Sequence, residues 1–200
     1  MKKFVRSLSK AMKWGNLKST FLFLALGLQA QDDLLKQYQF DVAYLASDLL
    51  EGRETGKEGE ALAADYIVQR FEALGIEPKG TDGYFHSFDF KHSNNPHASA
   101  EDKEDRTGKN VGGFIDNGAE YTIVIGGHYD HIGYGHFGSR HTGEEAIHNG
   151  ADDNASGVAI MLGLAERLKQ WESATFNFLF IAFSGEEMGL FGSKMYVKDP

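Results

Sequence analysis

Apolar side chains recur every three or four residues in several parts of the chain, which is the spacing of one face of an α-helix. One of these stretches ends at Gly75, and glycine favours the left-handed conformation found just beyond many helix C-termini. Another begins at Ser156, a suitable residue to cap a helix N-terminus. The pattern therefore predicts helices at residues 34–50, 58–74, 156–168 and 189–197.

Shorter segments show the patterns of β-strands. Aromatic and polar residues alternate over residues 84–90, as in a half-exposed strand, whereas residues 176–183 are almost entirely apolar, as in a strand covered on both faces. Two more strands are predicted at residues 111–115 and 121–125, with a turn at residues 116–118 between them. Strands that alternate with helices predict an α/β fold.

Residues 1–30 have the pattern of a secretory signal peptide. They carry Lys and Arg but no acid, followed by an apolar run over residues 21–28 that is shorter than the about 20 residues needed to cross a bilayer. We therefore predict an exported protein, periplasmic or extracellular, that keeps no membrane segment after cleavage. A start at Met12 would give a more ordinary signal, and a buried N-terminal helix is the alternative interpretation.

Composition and charge exclude several classes of function. The chain has no cysteine, so disulfides, thiolate catalysis and cysteine-bound zinc or iron–sulfur sites are ruled out. Its 29 acidic and 20 basic residues give a formal net charge of -9, which opposes binding to nucleic acid. A metal in this protein would therefore need His and carboxylate ligands. The polar residues 91–109 are predicted to form an exposed loop.

Three short segments place imidazole and carboxylate groups after predicted strands or before a predicted helix. In open α/β sheets such segments converge outside the carboxyl ends of the strands. Because alternate residues of a strand share a face, His128 can bind a metal while Asp130 holds its second ring nitrogen. The three segments are Gly126–His131, Gly150–Asn154 and Ser184–Glu187.

Carboxylates of the other two segments complete a candidate site for zinc or another divalent metal. Asp152 is the candidate for a carboxylate that bridges two ions. Of Glu186 and Glu187, one would bind metal and the other would act as a base beside a metal-bound water. Each feature alone fits a strand-end pair, a helix N-cap cluster or a solvated helix start, but together they favour a metal site. The neighbouring His131, His136, His141 and His148 are interpreted as solvated loop histidines.

These segments resemble the core motifs of the co-catalytic di-zinc aminopeptidases, family twenty-eight of the metallopeptidases. The motif residues are Gly126–His131, Gly150–Gly157 and Ser184–Ser193, and residues 50–75 resemble an upstream segment of the same family. The similarity covers nearly everything after about residue 40. It implies a mixed central sheet covered by helices on both faces, two Zn²⁺ ions, and removal of N-terminal residues from peptides with a free N-terminus.

The resemblance also implies a role for each matching residue. In relatives the peptide bond after the bridging Asp is often cis, which would place a cis bond between Asp152 and Asp153. The implied roles are zinc ligand for His128 and Glu187, bridging ligand for Asp152, general base for Glu186, and support of a ligand for Asp130.

The family's site needs two more ligands, an Asp beyond the Glu pair and a His near the end of the domain, and the sequence reaches Pro200 before either. We therefore expect residues 31–200 to be the N-terminal part of a catalytic domain that alone binds zinc poorly and is inactive. Two other functions stay open: a glutaminyl-cyclase-like acyltransferase with one zinc, and a non-catalytic binding module of the same fold. The sequence predicts neither oligomeric state nor side-chain preference.

Overall fold

The computed structural model describes residues 33–93, 95, 97 and 99–200. The predicted signal peptide lies outside these residues. The chain divides into two compact units, Met1–Gln39 and Phe40–Pro200. In the first unit, residues 33–39 are helical; the second unit begins with helical residues 40–45 and contains the elements below. Among the residues described, no helix has both the length and the apolar character needed to cross a membrane.

The second unit contains both α-helices and β-strands, as the sequence predicts. The α-helices are α1 (Glu58–Ala73), α2 (Ser156–Lys169) and α3 (Phe191–Lys198). The strands are β1 (Glu77–Pro78), β2 (Phe85–His92), β3 (Glu104–Ile115), β4 (Thr122–His128) and β5 (Asn177–Phe183). Short 3-10 helices lie at Asp48–Arg53 and Ala100–Asp102, and a π-helical turn at Ala151–Ala155 precedes α2.

The strands form one open, mixed sheet in the order β1-β3-β5-β4, with β2 also paired to β3. β3 pairs antiparallel with β1, β2 and β5, whereas β4 and β5 are parallel. The parallel pair is in register from Thr122 opposite Asn177 to His128 opposite Phe183. The carboxyl ends of β4 and β5 therefore lie side by side at one edge of the sheet.

The sheet carries helices on both faces, which confirms the predicted fold class. Gly113 of β3 is paired with Phe180 of β5, and the ring of Phe180 packs 6.3 Å from that of Phe71 in α1. Asn110 points to the opposite face, where its side-chain amide donates to the carbonyl oxygen of Gly192 in α3 at 2.9 Å. The main core lies between the sheet, α1 and α2.

The helix predicted over residues 34–50 ends earlier, because helical residues stop at 45 and the 3-10 helix Asp48–Arg53 follows. Glu51, Gly52 and Arg53 have φ angles of 48°, 69° and 50°. These left-handed values are incompatible with a continuing right-handed helix.

The prediction of an exposed loop over residues 91–109 is wrong at both of its ends. β2 continues to His92 and β3 begins at Glu104, and these two residues pair with each other in the antiparallel ladder. The start of β3 is polar because it buries Arg106, whose Nη1 donates to Oε1 of Glu54 at 2.6 Å. Because this ion pair is buried, the strand carries a charged side chain on its inward face, where an apolar residue would have indicated a strand.

Two glycines inside helices provide a matched test of how closely α1 packs. A Cβ at Gly59 of α1 would overlap the carbonyl oxygen of Leu50, whereas a Cβ at Gly163 of α2 would meet nothing within 4 Å. We expect Gly59→Ala to lower the free energy of unfolding by about 1–3 kcal/mol through overpacking. Gly163→Ala should raise it by up to about 1 kcal/mol through helix propensity. Urea unfolding of the full-length protein measures both, and equal effects would contradict the packing described.

Candidate metal centre

The three predicted segments meet at the edge where β4 and β5 end. Residues 129–131 follow β4 and residues 184–187 follow β5, so the parallel pairing brings them together. The turn before α2 joins them through Asn154, whose side-chain amide donates to the carbonyl oxygen of His128 at 3.2 Å. Imidazole and carboxylate groups far apart in sequence thus share one small region.

His128 contacts carboxylates through both ring nitrogens. Its Nδ1 lies 3.2 Å from the carbonyl oxygen and 3.7 Å from carboxylate Oδ1 of Asp130. Its Nε2 lies 3.0 Å from Oδ1 of Asp153. The two-residue spacing predicts this proximity, but the atom of Asp130 within hydrogen-bonding distance of Nδ1 is its backbone carbonyl oxygen, and the carboxylate lies farther away.

The carboxylate of Asp130 is fully buried and has hydrogen-bond partners besides its contact with His128. It accepts hydrogen bonds from the backbone N–H groups of Glu186 and Glu187 at 3.1 and 3.2 Å. The hydroxyl of Thr55 also donates to it at 3.1 Å. Asp130 therefore fixes the backbone of both glutamates relative to the end of β4.

Asp153, and not Asp152, lies beside His128 and Glu187. One ligand atom from each of His128, Asp153 and Glu187 lies within 4.8 Å of the others. Asp153 leaves the helical conformation at φ -117° and ψ 93°. The candidate ligand of this turn is therefore Asp153, which corrects the sequence interpretation by one residue. The cis peptide bond is also one residue later, at Asp153–Asn154.

The acids around the centre change the protonation of its functional groups. Burial disfavours the charged form of His128, but Asp130, Glu186 and Asp153 outweigh it and raise the pKa of His128 to about 9. A metal must therefore displace a proton from this imidazole. Burial, together with the charges of Glu187, Asp130 and Asp153, raises the pKa of Glu186 against the opposing effect of His128. A carboxylate with a raised pKa is suited to accept and return a proton.

His131 differs from the solvated loop histidine that the sequence pattern predicts. Its side chain is 13% exposed, and its Nδ1 lies 2.6 Å from Oε1 of Glu187. The sequence signal for this residue is its position directly after Asp130, at the end of the strand that presents His128. Only the fold shows that Glu187 is within reach.

Arg53, in the upstream segment covered by the family resemblance, is a buried cation to which the sequence assigned no role. Its guanidinium donates to the carbonyl oxygens of Tyr129 and Asn149 at 2.7 Å and of Gly150 at 2.9 Å, and also to that of Leu45. Burial lowers its pKa to about 10, although the charges of three acids favour its charged form. Arg53 thus places a positive charge behind the acidic cluster. The three acids are Asp130, Asp153 and Glu187.

Glu60 in α1 is a second buried group behind the centre. It accepts hydrogen bonds from the backbone N–H of Gly56 at 2.7 Å and from the hydroxyl of Ser184. Burial raises the pKa of Glu60 to about 8. A single Glu in the first turn of a helix gives no sequence signal for such an environment, since acids are common there for their favourable interaction with the helix dipole.

Comparison with known proteins finds a peptidase family and one curated relative that are similar to this chain. Residues 110–200 match the model of peptidase family M28. The alkaline phosphatase isozyme conversion protein of Escherichia coli (strain K12) is 30% identical over 154 residues. That alignment covers 74% of this chain and 41% of the relative.

Solved structures share the fold at low sequence identity. A Zn-dependent exopeptidase from Parabacteroides distasonis has a TM-score of 0.59 and 17% identity, over 82% of this chain and 56% of its own. A glutaminyl cyclase from Fimbriiglobus ruber has a TM-score of 0.59 and 20% identity, over 80% of this chain and 54% of the cyclase. A zinc aminopeptidase from Bacillus subtilis has a TM-score of 0.58 and 15% identity, over 82% of this chain and 65% of the aminopeptidase. The chain thus spans between 54% and 65% of the length of each structure.

The residues at the centre fit zinc. One imidazole nitrogen and the carboxylates of Asp153 and Glu187 are donors that zinc accepts in proteins. The ligand atoms lie close enough together for one ion to contact all of them. Zinc is also the metal of the exopeptidase and aminopeptidase structures that share the fold.

Adjacent aspartates allow a test of the ligand assignment. Loss of a residue that only supports a metal ligand usually weakens metal binding by about 10–100-fold. We expect Asp153→Asn, which removes a ligand itself, to weaken zinc binding to the full-length protein by more than this. Asp152→Asn, which removes a carboxylate outside the candidate ligand cluster, should leave zinc affinity nearly unchanged. Competition with a chelator measures both affinities. The opposite order would restore Asp152 as the ligand.

The variant Glu60→Gln tests whether burial raises the pKa of Glu60. The pKa of Glu60 is about 8 in the folded protein, so Glu60 keeps its proton below that pH. An ordinary carboxyl group, with a pKa of 4.5, has already lost its proton there. Between these values the unfolded chain binds fewer protons, so this residue lowers stability as pH rises, by up to about 1.4 kcal/mol per pH unit. We expect urea unfolding to show Glu60→Gln gaining stability relative to wild type over this range. The control Glu58→Gln alters an exposed carboxyl, and the same trend there would contradict the argument.

Proposed function

We propose that the protein is an exported zinc aminopeptidase of the M28 family that removes N-terminal residues from peptides and uses two zinc ions. The observation that carries this proposal is the convergence of His128, Asp153 and Glu187 at the β4–β5 edge, with Glu186 next to them in the chain. The M28 match and the zinc exopeptidase fold support the same conclusion.

The residues divide the work of peptide hydrolysis between binding a metal and moving a proton. Zinc held by His128, Asp153 and Glu187 would supply a Lewis acid that polarises the scissile carbonyl and makes water a stronger nucleophile. Glu186 takes a proton from the attacking water as the C–O bond forms. It returns that proton to the amine nitrogen as the C–N bond breaks, so the products are a carboxylic acid and an amine. The carboxylate of Asp130 keeps Glu186 in place by accepting a hydrogen bond from the backbone N–H of Glu186.

The proposed partners and location follow from charge and from the N-terminal pattern. Residues 1–30 support export to the periplasm or the extracellular space. The net charge of -9 supports a peptide substrate over a nucleic acid. A free N-terminal amine carries positive charge near neutral pH, and an acidic region can attract it.

Glutaminyl cyclase activity is the second candidate, because the fold is shared with solved glutaminyl cyclases at TM-scores of 0.59 and 0.58. The adjacent Glu186 and Glu187 favour the peptidase, since they provide a base in addition to a metal ligand. Peptides with a free N-terminal Gln distinguish the two reactions, because cyclisation releases ammonia and hydrolysis releases glutamine.

Glu186→Gln in the full-length protein tests the proposal. We expect zinc content to stay unchanged while hydrolysis of an aminoacyl 4-nitroanilide falls by about 10²–10⁴-fold, the usual contribution of a general base. Glu187→Gln is the matched variant, and it should lose zinc as well as activity. A Glu186→Gln enzyme that keeps its rate would refute the assignment. Cyclisation of N-terminal Gln without aminoacyl release would establish the second candidate instead.

A further inference from the structure

We propose that His131 is a positioning residue of the metal centre: its Nδ1–H donates to Oε1 of Glu187, orients this carboxylate and leaves its second oxygen to the metal. The inference rests on the proposed function in one respect, the use of Glu187 as a zinc ligand. It concerns a residue that the sequence pattern placed among solvated loop histidines.

The contact itself defines the tautomer of His131. Nδ1 and Oε1 of Glu187 are 2.6 Å apart, which is hydrogen-bonding distance. A Glu187 that binds a metal does so as a carboxylate, which has only acceptor atoms, so the proton of this hydrogen bond lies on Nδ1. The two side chains are 13% and 19% exposed, so little water competes for this bond.

The backbone of His131 is anchored independently of its side chain. Its N–H donates to the carbonyl oxygen of Arg53 at 3.0 Å, and Glu54 pairs with His131 in a parallel bridge. The neighbouring Asp130 is fixed by its own buried hydrogen bonds. The imidazole therefore projects from a rigid point.

The ring of His131 also packs against the turn that carries the third candidate ligand. A Cβ at Gly150 would lie 2.7 Å from Cγ and Cδ2 of His131, so only glycine leaves room for the ring there. Gly150 has a φ of 56° and is followed three residues later by Asp153. One imidazole thus contacts Glu187 on one segment and the start of the Asp153 turn on another.

These contacts restrict a side chain that would otherwise rotate freely. Glu187 has several rotatable bonds, and its backbone N–H bond to Asp130 does not fix the carboxylate. A hydrogen bond from a rigid imidazole fixes one oxygen before the metal arrives. Groups that orient metal ligands in this way typically change metal affinity by about 10–100-fold.

Two amide substitutions separate the hydrogen bond from the ring. The side-chain nitrogen of asparagine can take the place of Nδ1, whereas that of glutamine reaches the place of Nε2. In the full-length protein we expect His131→Gln to weaken zinc binding by about 10–100-fold, and His131→Asn to restore most of the affinity. His136→Gln is the control on the same loop, with a side chain 48% exposed, and should bind zinc as wild type does.

Chelator competition gives the zinc Kd of each variant, and urea unfolding without zinc checks that the variants fold alike. Equal zinc affinity in wild type and His131→Gln would overturn the inference. So would a His131→Asn variant as weak as His131→Gln, because the imidazole rather than its Nδ1–H would then be required. If His131→Gln does not fold, the ¹⁵N chemical shifts of the His131 ring in the zinc-loaded wild type decide, and an Nε2–H tautomer overturns the inference.

Zinc affinity separates this inference from the proposed activity. A protein that shows the expected order of Kd values but cleaves no peptide refutes the aminopeptidase and retains the role of His131. A protein that cleaves peptides, with His131→Gln binding zinc as tightly as wild type, retains the aminopeptidase and refutes the role of His131.

Discussion

The arrangement of the candidate metal centre depends on the buried carboxylate of Asp130. An ionised carboxylate away from water is stable only when its oxygens accept hydrogen bonds. Here the donors are the hydroxyl of Thr55 and the backbone N–H groups of Glu186 and Glu187. These donors come from segments that precede and follow β4 in the chain, so satisfying one buried charge draws the segments together. The same carboxylate lies beside His128 and favours its protonated form in the absence of metal.

Much of this arrangement could be predicted from sequence because it depends on regular elements. The apolar run of β5 and the periodicity of α1 and α2 are local patterns, and each predicts its element within a few residues. The convergence of the segments after β4 and β5 follows from a general property of α/β sheets, where loops at the carboxyl ends of parallel strands are neighbours. The order of residues along the chain is therefore enough to place His128, Asp130 and the Glu pair in one site.

What could not be predicted depends on contacts between distant residues or on irregular backbone. Asp152 and Asp153 are chemically identical neighbours, and only the departure from helical geometry at Asp153 turns that residue toward His128. The polar start of β3 looks like a loop because its partner Glu54 is 52 residues from Arg106 in the chain. His131 likewise has no local signal for Glu187, which is 56 residues away.

The hydrogen bonds of Arg53 have a consequence for how this protein can vary. Its guanidinium binds the carbonyl oxygens of Tyr129 on one side and of Asn149 and Gly150 on the other. These are the two ends of the loop over residues 130–149, so one side chain closes the base of that loop. Mutations, insertions or deletions in the outer part of the loop can change the surface beside the centre without altering the spacing of its ligands. The outer part of the loop can thus diversify in evolution without a change in the chemistry beneath it.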